Sequence, residues 1–269
     1  MNNFLQRSLT GVIFVGSVVG TILFHPLAFF ILCLLVSVLG MIEMKRLLER
    51  RYDRINLFAS LLLGLSFQVL VFLDTQEIIS NSWYIILMPM IWLPFVHELF
   101  KGGEHPFQRI ALTLLLPVYI AIPLSFLYLS AWTDGTFNNY FLIAFFAMVW
   151  CNDTGAYLVG VSIGRHKLYE RISPKKTWEG FIGGVIFTAL AAFVIFRLTD
   201  IASLWVWIAA GLIVSVFGTL GDLIESMLKR NVDIKDSGAI LPGHGGILDR
   251  FDAVLFAAPM VFALFILFG

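Results

Sequence analysis

The sequence predicts an all-α fold: a polytopic integral membrane helix bundle of about nine transmembrane helices with its N-terminus in the cytoplasm. Three observations carry that prediction. Of 269 residues, 59% are apolar and 13% charged, and the mean hydropathy is +0.89, whereas a soluble domain is about half apolar and about a quarter charged. Nine apolar runs fill the chain, and a helix needs about 20 apolar residues to cross a bilayer. Finally, the basic residues fall almost entirely on one side of the alternating loops. A soluble enzyme, a disordered chain and a disulfide scaffold are excluded. Cys33 and Cys151 both lie in apolar stretches, so neither points to a disulfide or a metal knuckle.

The runs cover roughly 9–24, 27–44, 56–73, 82–98, 109–130, 140–159, 180–198, 202–224 and 251–268. The first follows Arg7 in the manner of a signal peptide but lacks a small-x-small cleavage site. His25-Pro26 leads straight into the second, so the first is expected to be retained. The loops between runs are short and leave no soluble domain in which such runs would be buried. The segments before run one and after runs two, four, six and eight hold 1, 5, 2, 5 and 4 Lys or Arg, which is 17 of the 18. Arg197 alone lies opposite, so the positive-inside rule puts the N-terminus in the cytoplasm and the C-terminus outside. Eighteen acidic residues balance the eighteen basic ones, and no net field favours nucleic acid.

Residues 1–135 are rich in Leu and Phe, with polar residues confined to loops, and read as scaffold. Residues 136–269 place acidic groups at span ends and fill the loops with Gly, Lys and Asp, and read as the catalytic region, with its site facing the cytoplasm. The stretch 131–139 between them reads as an external loop, not an interdomain linker.

Polar side chains at membrane depth cost roughly 2.5–3.5 kcal/mol each on insertion scales, so those that persist generally have a task. The first cluster is Cys151-Asn152-Asp153-Thr154-Gly155-Ala156-Tyr157 in the cytoplasmic half of the sixth run. Asn152 and Asp153 present hard oxygens suited to Mg²⁺ or to substrate hydroxyls; the alternative is an interhelical hydrogen bond. The second is Ser173-Pro174-Lys175-Lys176-Thr177-Trp178-Glu179-Gly180. Pro174 predicts a helix start with Ser173 as its N-cap. A helix N-terminus carrying Lys175, Lys176, Ser173 and Thr177 forms an anion site; the alternative is a plain positive-inside anchor. Gly180, Gly183 and Gly184 let the following helix pack closely.

The third cluster runs from Gly221 to Asp252. If the eighth span stays helical to Arg230, Asp222, Ser226 and Lys229 share a face, and Asp249 and Asp252 share one as the last span begins. Between them lie Lys235 and Asp236, then Pro242-Gly243-His244-Gly245-Gly246, a loop whose glycines let backbone N–H groups approach phosphate oxygens. Carboxylates, lysines and a Gly-rich turn together suit a metal-triphosphate site. His244 reads as a phosphate contact or as a turn residue bonded to backbone.

From Ser226 to Asp252, 27 residues, the chain resembles the signature of the phosphatidate cytidylyltransferases (CDP-diacylglycerol synthases). That signature is Ser-x-apolar-Lys-Arg, then Lys-Asp-x-small, then apolar-Pro-x-His-Gly-Gly-apolar-x-Asp-Arg-apolar-Asp, and every defined position is met. Asn152-Asp153-Thr154 with Ala156-Tyr157, and Ser173 to Thr177 with Glu179-Gly180, also look like that family's upstream motifs. The resemblance covers about residues 145–269. It implies a reaction of CTP with phosphatidic acid in the lipid bilayer, giving CDP-diacylglycerol and pyrophosphate. It implies metal ligation by Asp222, Asp249 and Asp252, with Mg²⁺ as cofactor and room for a second cation. Lys175, Lys176, Lys229, Arg230 and Arg250 would neutralise phosphates, with Asn152, Asp153, Ser173, Thr177, Ser226, Lys235, Asp236, His244, Gly245 and Gly246 binding substrate. A homodimer is compatible with this reading.

Two rivals come from other classes. A transporter also buries carboxylates but usually shows internal repeats and paired broken helices near mid-membrane, whereas here the charge gathers at one face. A CTP-dependent lipid kinase would use a related nucleotide site and differs in its products. The compact chain with short termini points to the inner (cytoplasmic) membrane of a bacterium.

Overall fold

The computed structural model describes residues 3–132, 135–234, 238 and 245–269, with side chains from Thr10 onward. Its helices are α1 (Asn3–Phe24), α2 (Pro26–Leu48), α3 (Leu57–Thr75), α4 (Leu87–Lys101), α5 (Pro106–Leu116), α6 (Ile122–Leu129), α7 (Asn139–Ile163), α8 (Trp178–Leu198), α9 (Leu204–Asn231) and α10 (Leu248–Phe268). Between α7 and α8 lies a hairpin of β1 (Lys167–Tyr169) and β2 (Ser173–Thr177), paired antiparallel.

Among the described residues, eight helical segments are long and apolar enough to cross a membrane, and Thr10–Phe24 of α1 is a shorter apolar one. The α1–α2 boundary falls where His25-Pro26 predicts it: Pro26 opens α2, and the His25 side chain accepts from Leu27 N at 3.1 Å. The predicted span at 109–130 is one apolar segment, Pro106–Trp132, with a π-type turn at Pro117–Ala121. Pro117 has no N–H to give the ladder and its ring crowds the preceding turn, which widens the helix there.

The chain forms two compact units, residues 1–129 with 232–249, and residues 130–231 with 250–269. In the first unit, Phe29, Phe30, Phe72 and Tyr128 stack at centroid distances of 4.4–6.5 Å. Buried Gln68 donates to Ser37 Oγ at 2.8 Å and to the Ala121 carbonyl at 3.3 Å. Buried Arg109 donates to Glu98 through Nε at 2.7 Å and to the Gly102 carbonyl at 3.1 Å.

In the second unit, Phe141, Trp207 and Phe265 form a buried aromatic core joining α7, α9 and α10. Thr188 and Ser215, both fully buried, share a 2.7 Å hydrogen bond between α8 and α9. The α7–α8 seam is built on glycine, as the Gly180, Gly183 and Gly184 spacing predicts. A Cβ on Gly183 would lie 2.5 Å from Val159 Cβ, and one on Gly180 2.8 Å from the Ala156 carbonyl. Without a lipid-excluding driving force between helices, such close backbone approach is what holds spans together. Gly183→Val is therefore expected to destabilise the protein by about 1–3 kcal/mol, the range for overpacking. The thermal midpoint in detergent reads this, and an unchanged midpoint would show that the seam is not tightly packed.

One local prediction is corrected. Ser173 and Pro174 do not open a helix: Ser173–Thr177 is strand β2, and α8 begins at Trp178 with Thr177 as its N-cap. Thr177 Oγ1 accepts from Gly180 N at 3.1 Å. The hairpin prevails because it gives this backbone partners: Trp178 N donates to the His166 carbonyl at 2.9 Å. Glu179 clamps the other arm, accepting from Arg165 N at 3.1 Å and pairing with His166 Nδ1 at 2.6 Å. Lys175 and Lys176 are thus carried on a strand, and the free N–H cluster envisaged beside them is not formed there.

Candidate active site

The second unit gathers acidic and basic side chains from four elements. Helix α7 supplies Asn152 and Asp153, β2 supplies Lys176, α9 supplies Asp222 and Ser226, and α10 supplies Asp252. All these helices are predominantly apolar, so the carboxylates stand out against their surroundings. Asn152 is buried, its Oδ1 lying where a Cβ on Gly184 would come within 2.5 Å, so the glycine of α8 makes room for the amide. Asn152 Nδ2 sits 3.5 Å from Asp153 Oδ1.

Asp222 is the hub. Lys176 Nζ pairs with its Oδ2 at 2.6 Å, and Ser226 Oγ donates to its Oδ1 at 3.3 Å. The Asp222–Ser226 bond is the i, i+4 relation expected of a helix continuing to the end of the span, and α9 runs to Asn231. Asp153 and Asp252 each repel Asp222 electrostatically, Asp252 also feels Asp153, and Lys176 attracts both. Arg250 adds attraction on Asp153. Asp252 Oδ1 accepts from Ala253 N at 2.8 Å.

Helices α9 and α10 meet here through small residues. A Cβ on Gly221 would clash with the Asp252 carbonyl and reach Phe256 Cδ2 at 3.1 Å, and one on Gly218 would lie 3.3 Å from Ala253 Cβ. Only glycine at 221 lets the backbone carrying Asp222 run this close to the one carrying Asp252.

Three mutually repelling carboxylates with one lysine bound to their hub form a site that favours added positive charge. Hard carboxylate, amide and hydroxyl oxygens are the donors that Mg²⁺ prefers. Among the described residues, no three Asp, Glu, His or Cys side chains are close enough to form a ready-made metal cage.

Not every candidate converges on this cluster. Lys229 ion-pairs with buried Glu225, one turn before it on α9. Lys175 and Arg230 are exposed. Asp249 belongs with Gly245 and Gly246 to the first unit, where its Oδ2 accepts from Gly246 N at 2.7 Å. Gly245 has φ +83, and a Cβ there would strike Asp249 Oδ2, so both the turn and the close approach require glycine. Lys235, Asp236 and His244 lie outside the described residues. The sequence reading did not single out Glu43, and it quoted Glu179 and Glu225 within its motifs without giving either a role. Each is an acid within or at the mouth of an apolar span, which was the available signal.

A bundle of apolar helices carrying a carboxylate–lysine cluster within its spans defines a polytopic membrane protein. Sequence comparison supplies the family. The cytidylyltransferase family model matches residues 5–268. Phosphatidate cytidylyltransferases from Staphylococcus haemolyticus and Staphylococcus saprophyticus are each 35% identical, over 87% and 93% of this chain and 90% and 96% of the relative. The Staphylococcus aureus enzyme of that name is 33% identical over 93% of this chain and 96% of its own length. The chain belongs to the cytidylyltransferase family and is a nucleotidyltransferase.

Proposed function

We propose that the protein transfers the cytidylyl group of CTP to phosphatidic acid, giving CDP-diacylglycerol and pyrophosphate. The observation that carries this reading is the cluster Asp153–Lys176–Asp222–Asp252 among apolar helices, in a chain whose relatives bear the name phosphatidate cytidylyltransferase. A phosphate oxygen of the lipid attacks the α-phosphorus of CTP, the α–β anhydride bond breaks, and pyrophosphate leaves with the electron pair. The nucleophile is already an anion, so the protein needs no Ser or Cys nucleophile. Its work is to bring two anions together and hold them in line.

Lys176, with Lys175, Lys229, Arg230 and Arg250, offsets the charge of CTP, the lipid phosphate and the leaving pyrophosphate. One or two of the carboxylates Asp222, Asp249 and Asp252 would hold Mg²⁺, which when bound screens the triphosphate and favours departure of pyrophosphate. Asn152, Asp153, Ser173, Thr177 and Ser226 bind substrate polar groups, together with Lys235, Asp236, His244, Gly245 and Gly246 of the connecting segment. Because 17 of 18 Lys and Arg fall on one set of loops, the site faces the cytoplasm of the cell's inner membrane, where water-soluble CTP meets a lipid headgroup.

The test uses purified protein in detergent with phosphatidic acid, Mg²⁺ and CTP labelled separately on the α- and γ-phosphates. Cytidylyl transfer puts α-label into lipid and γ-label into pyrophosphate. Passage of γ-label to an added lipid alcohol would instead make the protein a lipid kinase. No transfer of either label by folded protein would overturn both readings.

A further inference from the structure

Helix α2 lies in the half of the chain whose composition reads as scaffold, yet Glu43, near its C-terminal end, is 2% exposed. A buried carboxylate without partners is costly, and Glu43 spends its oxygens on a segment about 200 residues away. Its Oε2 accepts from Ile247 N at 2.8 Å, and its Oε1 accepts from Leu248 N at 3.3 Å. Gly238 packs on the same carboxylate: a Cβ there would lie 3.2 Å from Glu43 Oε2. These residues all belong to the first unit.

Ile247 immediately precedes α10 and Leu248 opens it, and the first N–H groups of a helix have no acceptor within it. Neither residue has a side chain able to cap, so the acceptor must come from elsewhere. The next N–H back, Gly246, donates to Asp249 Oδ2 at 2.7 Å. Three consecutive amides, 246 to 248, are therefore held by two carboxylates, Glu43 and Asp249. The anion also opposes the positive end of the α10 dipole.

We infer that Glu43 is a positioning residue: by gripping the Ile247 and Leu248 amides it fixes the turn that sets the Asp249 carboxylate for the reaction. Its action passes through backbone, and it touches no substrate. The activity arm of the inference rests on the proposed cytidylyl transfer; the exchange arm does not.

In the exchange arm, residue-resolved hydrogen exchange on the wild-type protein in detergent reads the amides of Gly246, Ile247 and Leu248. Slow exchange of all three is expected. Rapid exchange at Ile247 and Leu248 would overturn the inference without any variant. In the activity arm, Glu43→Gln keeps the shape and one acceptor oxygen but removes the charge. It is expected to lower kcat about 10- to 100-fold, from the strength of hydrogen bonds to charged groups, with a much smaller change in KM for CTP. Glu43→Asp, one methylene shorter, should regain part of the rate. Gln68→Met, another buried polar substitution in the same unit, supplies the comparison for stability alone and should leave kcat unchanged in the folded fraction. A Glu43→Gln kcat within about twofold of wild type would sink the inference, and so would losses that track thermal stability equally in both variants. If wild-type protein forms no CDP-lipid, the proposed function fails and the exchange arm still judges Glu43.

Discussion

Asp222→Asn is expected to lower turnover by about a thousandfold, the scale of losing one preorganised electrostatic contact at a transition state. Asp222 binds Lys176 at 2.6 Å and Ser226 at 3.3 Å and sits in the repulsive field of Asp153 and Asp252. The amide keeps the volume and an acceptor for Ser226 but removes the charge that holds Lys176. Folding should not suffer, because the substitution relieves repulsion among three carboxylates. Unfolding midpoint and pyrophosphate release, measured on the same preparation, separate the two effects. Activity within tenfold of wild type would remove Asp222 from the centre of the site. Lys176→Met added to Asp222→Asn should cost less than the product of the two single losses, since residues that share one interaction are not additive.

Asp249→Asn should be comparably severe, about a hundredfold to a thousandfold in turnover, for a reason the loop geometry isolates. Asp249 does two things: it is a candidate metal ligand, and its Oδ2 accepts from Gly246 N at 2.7 Å. An Asn oxygen can still accept that N–H, so the turn survives and only the charge is lost. Asp249→Ala loses both, and the added loss in hydrogen-exchange protection at Gly246 reads the turn alone. Wild-type-like turnover of Asp249→Asn at saturating Mg²⁺ would show that its carboxylate serves the loop and not the chemistry.

Much of the molecule was readable from the chain in one dimension. The apolar runs became helices because nothing else satisfies backbone groups in a bilayer. His25-Pro26 broke α1 from α2 as proline chemistry demands. The 3.6-residue period put Ser226 one turn above Asp222. The same period put Lys229 on the Asp222 face, but Lys229 stands only one turn from Glu225, and it pairs with Glu225. At Ser173-Pro174 two local rules competed. Proline suits a helix start, but it also suits a short edge strand, and the antiparallel partner at Lys167–Tyr169 settled the matter.

Composition, periodicity and the placement of basic residues were enough to establish a polytopic helical membrane protein, and the spacing of its motifs carried the resemblance to its family. They act through neighbours in sequence, where spacing and geometry are equivalent. They were silent on which distant groups meet. Lys176 reaches Asp222 from a different element, and Glu43 reaches Ile247 from another helix altogether. Such pairings arise because each buried charge and each orphaned amide must find a partner somewhere in the packed molecule. Several partners would satisfy that demand equally well in sequence, and the close approach of backbones at glycines such as Gly183 and Gly221 selects among them.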